Sequence, residues 1–124
     1  MSPRRTTVDQ TKGVMELDWP LFGELSRALA LKVARDWMPD LVLGVATAGV
    51  IPGATVAAML DRPFQSIAVS RRYRSETGDE PVVLHAPTAE VADRRVLVVD
   101  ETCDSGETLR LARAAILDAG AREV

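Results

Sequence analysis

Two short apolar runs without polar alternation constrain this chain more than any other feature. Leu41 to Ala46 reads LVLGVA, and Arg95 to Asp100 reads RVLVVD. A strand with one solvated face alternates apolar and polar residues, whereas a strand covered on both faces is apolar throughout. The two runs therefore predict buried strands of a parallel sheet, which requires helices on both of its faces.

Helical patterns surround these runs. Asp18 predicts an N-cap, Pro20 is tolerated in a first turn, and Pro39 disfavours helix in the residue before it, so a helix should end near Trp37. Trp19 and Trp37 are interpreted as packing anchors at the two helix ends. The apolar residues at helical spacing in this segment are Phe22, Leu25, Leu29 and Val33.

The remaining segments complete an alternating order of strands and helices. A small-residue helix is predicted from Pro52 to Leu60, a strand from Ser66 to Ser70, and a helix from Glu107 to Ala119 with Gly120 beyond its end. The order predicts an α/β fold: an open, mainly parallel sheet flanked by helices. Residues 14–124 should form one domain after a flexible tail over 1–13, with 71–92 as a small mobile hood hairpin.

Composition excludes several classes of protein. The 124 residues are 47% hydrophobic and 27% charged, which is typical of one globular domain. The net charge of −3 argues against a nucleic-acid partner. A single cysteine, Cys103, excludes an intrachain disulfide, and no apolar run approaches the ~20 residues of a membrane span. We therefore expect a cytoplasmic protein without a membrane partner.

The segment from Val98 to Leu109, VVDETCDSGETL, carries the strongest functional signal. A buried strand delivers Asp100 and Glu101 at its carboxyl end, where open α/β sheets bind ligands. Carboxylates accept hydrogen bonds from a diol, and a helix start with hydroxyls and a glycine can hold a phosphate. The loop therefore suits a ribose 5-phosphate.

A plainer interpretation competes with this one. Ser105 as an N-cap and Glu107 in the first helical turn would be explained by helix capping alone. The coincidence of three acids, a Ser-Gly pair and a final threonine favours a binding loop instead. Cys103 is interpreted as a filler within that loop and not as a nucleophile.

This segment resembles the motif that binds 5-phosphoribosyl-1-pyrophosphate (PRPP) in type I phosphoribosyltransferases. The resemblance implies that Asp100 and Glu101 bind the ribose hydroxyls and, through the ribose or water, a metal ion. It also implies that Asp104, in the manner of the 6-oxopurine branch, handles the proton on the base as a catalytic acid or base. The residues implied to hold the 5-phosphate are Asp104, Ser105, Gly106, Glu107 and Thr108.

The wider chain, from about Trp19 to Val124, resembles bacterial xanthine-guanine and hypoxanthine phosphoribosyltransferases. Residues 40–54 resemble the first strand, the pyrophosphate loop (Thr47, Ala48 and Gly49) and the following helix, and Arg72-Tyr73 resembles the start of the mobile catalytic loop. Thr47 stands where the family commonly has an arginine, and Ala48 where it has a glycine. A cis peptide is expected in this loop from the family.

The resemblance implies transfer of the phosphoribosyl group from PRPP to a base, a 6-oxopurine, with Mg²⁺ and with release of pyrophosphate. It also implies a homodimer whose other ligands are nucleobases or nucleoside monophosphates. Relatives continue with strands, a lysine and a base-stacking aromatic that are not in the printed sequence. Three alternatives remain: a non-catalytic regulator that binds PRPP or nucleotides, a truncated relative, and a structural protein on the same scaffold.

Overall fold

The computed structural model describes residues 8–9, 14–70, 82–103 and 105–124. Within these ranges it contains two sheets, three α-helices and one short 3₁₀ helix at Ala89–Val91. The strands are β1 (Val8–Asp9), β2 (Val14–Met15), β3 (Leu41–Ala46), β4 (Phe64–Ser70), β5 (Val82–His85) and β6 (Val96–Val99), and the helices are α1 (Trp19–Asp36), α2 (Val50–Leu60) and α3 (Glu107–Asp118).

The main sheet has the strand order β5-β4-β3-β6. β3 pairs in parallel with both β4 and β6, and β5 pairs antiparallel with β4. The predicted α/β class with an open, mainly parallel sheet is confirmed. The strand predicted at LVLGVA is confirmed at both ends, and Leu41 to Val45 are buried as expected for a central strand.

Helices cover both faces of this sheet. Successive residues of a strand point to opposite faces. Leu43 and its neighbours two positions away pack with Ala112 and Ile116 of α3, whereas Val42 packs with Ala57 of α2. α3 therefore lies on one face, and α2 lies on the other.

The small residues of α2 allow this helix to approach the sheet closely. A Cβ atom on Gly53 would lie 3.1 Å from the Cα of Gly44 in β3. α2 begins at Val50, two residues before the predicted start, with Gly49 as its N-cap.

α1 has the predicted ends, and its large apolar residues are not its most buried ones. Asp18 caps it, accepting a hydrogen bond from the Leu21 amide at 2.9 Å, and Trp37 follows its last residue. The buried residues are Ser26 and Ala30, while Leu25 and Leu29 are 50% and 41% exposed. Small side chains face the neighbouring helix because they permit close packing with α2.

The interpretation of Trp19 as a packing anchor is wrong, because this residue is 74% exposed; its ring meets that of Phe22 edge-on. Trp37 is half-buried, and the Arg95 guanidinium lies 4.9 Å from its ring centre.

The chain after α3 runs beside β6, where Glu123 forms a parallel bridge with Arg95. In the described ranges, no helix has the length and apolar character needed to cross a membrane.

Part of the predicted tail and hood lies outside the described residues. This applies to 1–7 and 10–13 of the tail and to 71–81 of the hood. Val8–Asp9 of the tail pairs with Val14–Met15 in a two-stranded antiparallel sheet. The strand predicted at Val82 to Leu84 is present and continues to His85.

Candidate functional site

The site is built where the two predicted central strands end side by side. β3 and β6 are parallel neighbours, so their carboxyl ends meet at one edge of the sheet. The chain leaves β3 toward α2 on one face and leaves β6 toward α3 on the other. Such a divergence opens a crevice between the two loops, which is where open α/β sheets bind ligands.

A small cavity of about 200 Å³ lies in this crevice, and we call it the polar cavity. It joins the loop after β3 to the loop after β6. Both carboxylates of the predicted ribose site belong to its wall. Its lining residues are Ala48, Asp100, Glu101, Thr102, Cys103, Gly106, Thr108 and Leu109.

The two adjacent acids differ in their surroundings. Asp100 is half-buried, and its Oδ1 accepts a hydrogen bond from the Glu101 amide at 2.7 Å. Glu101 is exposed. One carboxylate oxygen of Asp100 thus braces the loop, and its second oxygen and the Glu101 carboxylate remain as acceptors for a ligand.

The start of α3 is shaped by a glycine. Gly106 is the N-cap residue and has a φ of 83°, a left-handed conformation that favours glycine. The interpretation of Ser105 as the N-cap is therefore wrong by one position. The Ser105 hydroxyl still accepts a hydrogen bond from the Glu107 amide at 3.3 Å, so it faces the helix end.

The loop after β3 is held by a second glycine. A Cβ atom on Gly49 would lie 2.6 Å from the Val45 carbonyl oxygen and 2.7 Å from that of Val99. Only glycine permits this approach, which fixes Ala48 beside the polar cavity. The peptide bond between Ala46 and Thr47 is cis, as the family resemblance implies for this loop.

The predicted site residues are only partly brought together. Ala48, Asp100, Glu101, Gly106 and Thr108 line the polar cavity. Gly49 is buried and does not line the cavity. Thr47, Ser105 and Glu107 are exposed and do not line it, and Asp104, Arg72 and Tyr73 lie outside the described residues.

Three lining residues, Thr102, Cys103 and Leu109, were not predicted as site residues, and Cys103 was interpreted as a filler. Thr102 lies between the acids and the helix start, and its position inside the motif was the available signal. Leu109, the last residue of the motif, is half-buried, packs against the core and also reaches the cavity wall.

A larger cavity of about 450 Å³ adjoins the first, and we call it the apolar groove. It runs between the start of α1, the start of α2 and the end of β6, and it shares Ala48, Asp100 and Glu101 with the polar cavity. Sequence reasoning missed it because the residues that line it lie far apart in the chain. Its other lining residues are Leu17, Asp18, Trp19, Phe22, Leu25, Ser26, Leu29, Ile51, Pro52, Val56 and Val99.

The acids of the polar cavity fit magnesium in one particular binding mode. Mg²⁺ prefers oxygen ligands and is commonly held by one or two carboxylates together with substrate phosphates and waters. Asp100 and Glu101 supply two carboxylates at the wall of the polar cavity. Among the described residues, no group of three or more acids, histidines or cysteines forms a metal cage by itself. The donor set therefore fits a metal ion that arrives with its phosphate ligand.

The fold is that of the type I phosphoribosyltransferases. The chain belongs to the phosphoribosyl transferase domain family, whose model matches residues 16–124.

Among its relatives, xanthine-guanine phosphoribosyltransferase of Cereibacter sphaeroides is 33% identical over 105 residues, which are 78% of this chain and 62% of the relative. Adenine phosphoribosyltransferase of Nocardia farcinica is 33% identical over 94 residues, 68% of this chain and 49% of that protein. The chain thus spans about half to three-fifths of these curated relatives.

Solved structures agree with the family assignment. The purine phosphoribosyltransferase of Pyrococcus horikoshii superposes with a TM-score of 0.75 at 32% identity, covering 86% of this chain and 70% of that one. A protein from Neisseria gonorrhoeae with bound ppGpp superposes with a TM-score of 0.74 at 21% identity, covering 82% and 62%. At that identity, the second likeness concerns the fold alone.

Proposed function

We propose that this protein transfers the phosphoribosyl group of PRPP to a ring nitrogen of a 6-oxopurine and releases pyrophosphate. The observation that carries the proposal is the convergence of Asp100, Glu101, Gly106 and Thr108 on one cavity at the carboxyl end of β6. A phosphate pocket next to two diol acceptors matches a ribose 5-phosphate. The xanthine-guanine relative supports the choice of a 6-oxopurine, and the purine phosphoribosyltransferase structure supports a purine.

In the proposed reaction, the bond between C1 of the ribose and the pyrophosphate oxygen breaks while a base nitrogen bonds to C1. Positive charge develops on the ribose, and the base nitrogen loses its proton. Asp100 and Glu101 accept hydrogen bonds from the ribose hydroxyls and so hold C1 in position. When bound, magnesium neutralises charge on the leaving pyrophosphate. Asp104 is assigned to take the proton from the base.

The test is product formation by the purified chain. PRPP and Mg²⁺ are combined in turn with hypoxanthine, guanine, xanthine and adenine, and nucleoside monophosphate and pyrophosphate are quantified. We expect turnover with a 6-oxopurine and its loss in Asp100→Ala. Asp118→Ala is the matched control, because Asp118 is an exposed acid at the far end of α3. Absence of product with all four bases would contradict the proposal.

A second candidate is a non-catalytic regulator that binds PRPP or nucleotides. One observation favours it: Thr47 replaces the arginine common in the family and lies outside the wall of the polar cavity. PRPP binding measured by calorimetry, together with no turnover, would favour this second candidate.

We also propose that the protein is a homodimer in the cytoplasm. Light scattering after size-exclusion chromatography tests the dimer.

A further inference from the structure

A second depression, of about 600 Å³, lies on the side of α1 that faces away from the candidate site. It shares no residue with the polar cavity or the apolar groove. Met59 of α2, which is 46% exposed, forms its flank. The other lining residues all belong to α1 and recur at helical spacing, so they form one face, which we call the outer face of α1. Its members are Pro20, Gly23, Glu24, Arg27, Ala28 and Leu31.

The outer face carries two opposite charges that are not used within the chain. Glu24 and Arg27 are both exposed and lie three residues apart on α1. Side chains at that spacing are neighbours and can pair within one helix. In the described part of the chain, however, neither of them has an ion-pair partner. Both charges are therefore available to a partner molecule.

The order of residues on the outer face is self-complementary. A two-fold axis relates two copies so that the same patch is used twice and each contact between unlike residues occurs twice. If two α1 helices pack antiparallel with the axis midway between Glu24 and Arg27, every member of the outer face meets another member. Opposite charges meet, two small residues meet, and two apolar residues meet. The resulting pairs are Glu24 with Arg27, Gly23 with Ala28, and Pro20 with Leu31.

We propose that a second copy of this chain docks on the outer face of α1 in this antiparallel, two-fold symmetric contact. Charge complementarity selects the occupant, because the acid and the base of one copy are spaced to meet the base and the acid of another. Leu31, which is 65% exposed, loses its exposed apolar surface in the contact.

The small residues next to the axis allow the two helices to approach closely. A Cβ atom on Gly23 would meet nothing within 4 Å, so the surface at this point is open. The distance between packed helices depends on the side chains at their contact, and a pair of Gly23 with Ala28 permits a short one. A large side chain at position 23 would instead hold the two helices apart.

The size of the outer face sets the expected strength of the contact. Stable specific interfaces bury about 1,200–2,000 Å² in total, and one helix with one flanking residue from each copy lies at or below the small end of that range. We therefore expect a reversible dimer with a dissociation constant in the micromolar range. The inference rests on the proposed homodimer, but it does not depend on the proposed chemistry.

Reversal of the charges tests the pairing. Arg27→Glu places like charges opposite each other at two symmetry-related positions, so it should raise the dissociation constant of the dimer by at least about tenfold. Glu24→Arg should do the same. The double variant Glu24→Arg/Arg27→Glu restores opposite pairs in reversed order and should recover the wild-type dissociation constant. Sedimentation equilibrium over a range of protein concentrations measures all four proteins.

Lys32→Glu is the matched control for Arg27→Glu. It makes the same change of net charge at an exposed position of α1 that is not part of the outer face, and it should leave the dissociation constant unchanged. Gly23→Leu tests the close approach. It should weaken the dimer while the monomer stays folded by circular dichroism, because leucine favours a helix more than glycine does.

Two results would overturn the inference. One is a dimer whose dissociation constant changes in neither charge reversal nor in Gly23→Leu, or whose loss in the single variants is not reversed in the double variant; the homodimer would then use another surface. The other is a wild-type protein that stays monomeric at high micromolar concentration, which also contradicts the proposed homodimer. Phosphoribosyl transfer is assayed separately, so a dimer without turnover counts against the proposed chemistry only.

Discussion

At the scale of single residues, Asp100 has two tasks that substitution can separate. Its Oδ1 holds the Glu101 amide, and its carboxylate also forms part of the polar cavity. We expect Asp100→Ala to weaken the affinity for PRPP by at least about tenfold, because a hydrogen bond to a charged group contributes about 1.5–3 kcal/mol. Asp100→Asn keeps one oxygen that can brace the loop, but it loses the charge and replaces the second acceptor oxygen by an amino group that donates.

Calorimetry and thermal unfolding together test this prediction. Both variants should bind PRPP more weakly. Their melting temperatures should stay near that of the wild-type protein, since Asp100 lies at the edge of the sheet where the ligand is expected and not in its core. If Asp100→Asn binds PRPP as the wild type does, the charge has no role in the site. Thr108→Ala should also weaken PRPP, and unchanged affinity in both Asp100→Ala and Thr108→Ala would leave the loop as a helix cap.

Gly49 provides a second prediction, on stability. A Cβ atom there would collide with two backbone oxygens, of Val45 and Val99, which cannot move aside as a flexible side chain can. Gly49→Ala should therefore destabilise the fold by about 1–3 kcal/mol or more. Gly23→Ala is the control, because a Cβ atom on Gly23 meets nothing within 4 Å and alanine favours a helix by about 0.5–1 kcal/mol.

Urea unfolding of both variants gives the comparison. We expect opposite signs, with a lower unfolding midpoint for Gly49→Ala and a higher one for Gly23→Ala. Equal midpoints would show that the loop after β3 shifts freely to accept a side chain.

At the scale of elements, the loop between β3 and α2 carries Thr47 where the family resemblance implies an arginine. Thr47 is exposed just beyond the wall of the polar cavity, so a longer side chain has room to extend. We expect Thr47→Arg to increase the affinity for PRPP by about tenfold, since an arginine–phosphate contact is charge-assisted and often bidentate. A nucleoside monophosphate lacks the pyrophosphate and should gain less.

Titration of both ligands against Thr47→Arg and Thr47→Gln separates charge from length. Glutamine extends the side chain without charge and should tighten PRPP little. The double variant Thr47→Arg/Ala48→Gly should gain further, because glycine gives the loop more room. Equal gains for the two ligands would place residue 47 away from the pyrophosphate.

The segment after α3 is tied to the turn before β6 by an exposed ion pair. Arg122 donates two hydrogen bonds to Asp93, each 3.1 Å long. The hydrogen bond and the charge of Arg122 lower the pKa of Asp93 below its usual value. Because the folded-state pKa is depressed, the stability from this pair is present above the unfolded-state pKa. It is lost as the pH falls through the folded-state pKa.

An NMR titration of the Asp93 carboxyl should show this low midpoint. Arg122→Gln should raise the midpoint toward the ordinary aspartate value, whereas Arg113→Gln, at an exposed position on α3, should not. An unshifted midpoint in Arg122→Gln would mean that the pair does not persist in solution.

Sequence patterns predicted the elements well where one physical effect dominates. LVLGVA gave β3 because burial on both faces leaves no polar position in the strand. α1 shows the limit of predicting burial from spacing. Helical spacing identifies the apolar residues of α1, but it does not show which of its residues lie closest to a neighbouring element. Ser26 and Ala30 face α2 because they are small, and this displaced Leu25 and Leu29 to the rim of the groove.

The site was predictable to the extent that it is local in the chain. Asp100, Glu101, Gly106 and Thr108 fall in one motif, and they line one cavity. The apolar groove joins side chains far apart in the sequence, such as Trp19, Ile51 and Val99. No motif links these positions, because only the packing of α1 and α2 on the sheet brings them together.

At the scale of the whole molecule, ligand binding should appear as stability. A ligand that binds only the folded state at 100 times its dissociation constant adds about 2.7 kcal/mol to the free energy of unfolding. We expect PRPP with magnesium, and a nucleoside monophosphate, to raise the melting temperature by several degrees. Ribose without phosphate is the control, and no shift at millimolar PRPP would contradict a binding site.

The contact between Gly49 and the ends of β3 and β6 has a genetic consequence. Every missense change at that codon adds at least one carbon to a position that faces three backbone atoms within 3 Å. In a saturation library selected for folded protein, codon 49 should therefore be depleted of all nineteen alternatives, small and large alike. Codon 23, whose glycine faces open space, should tolerate many of the same replacements.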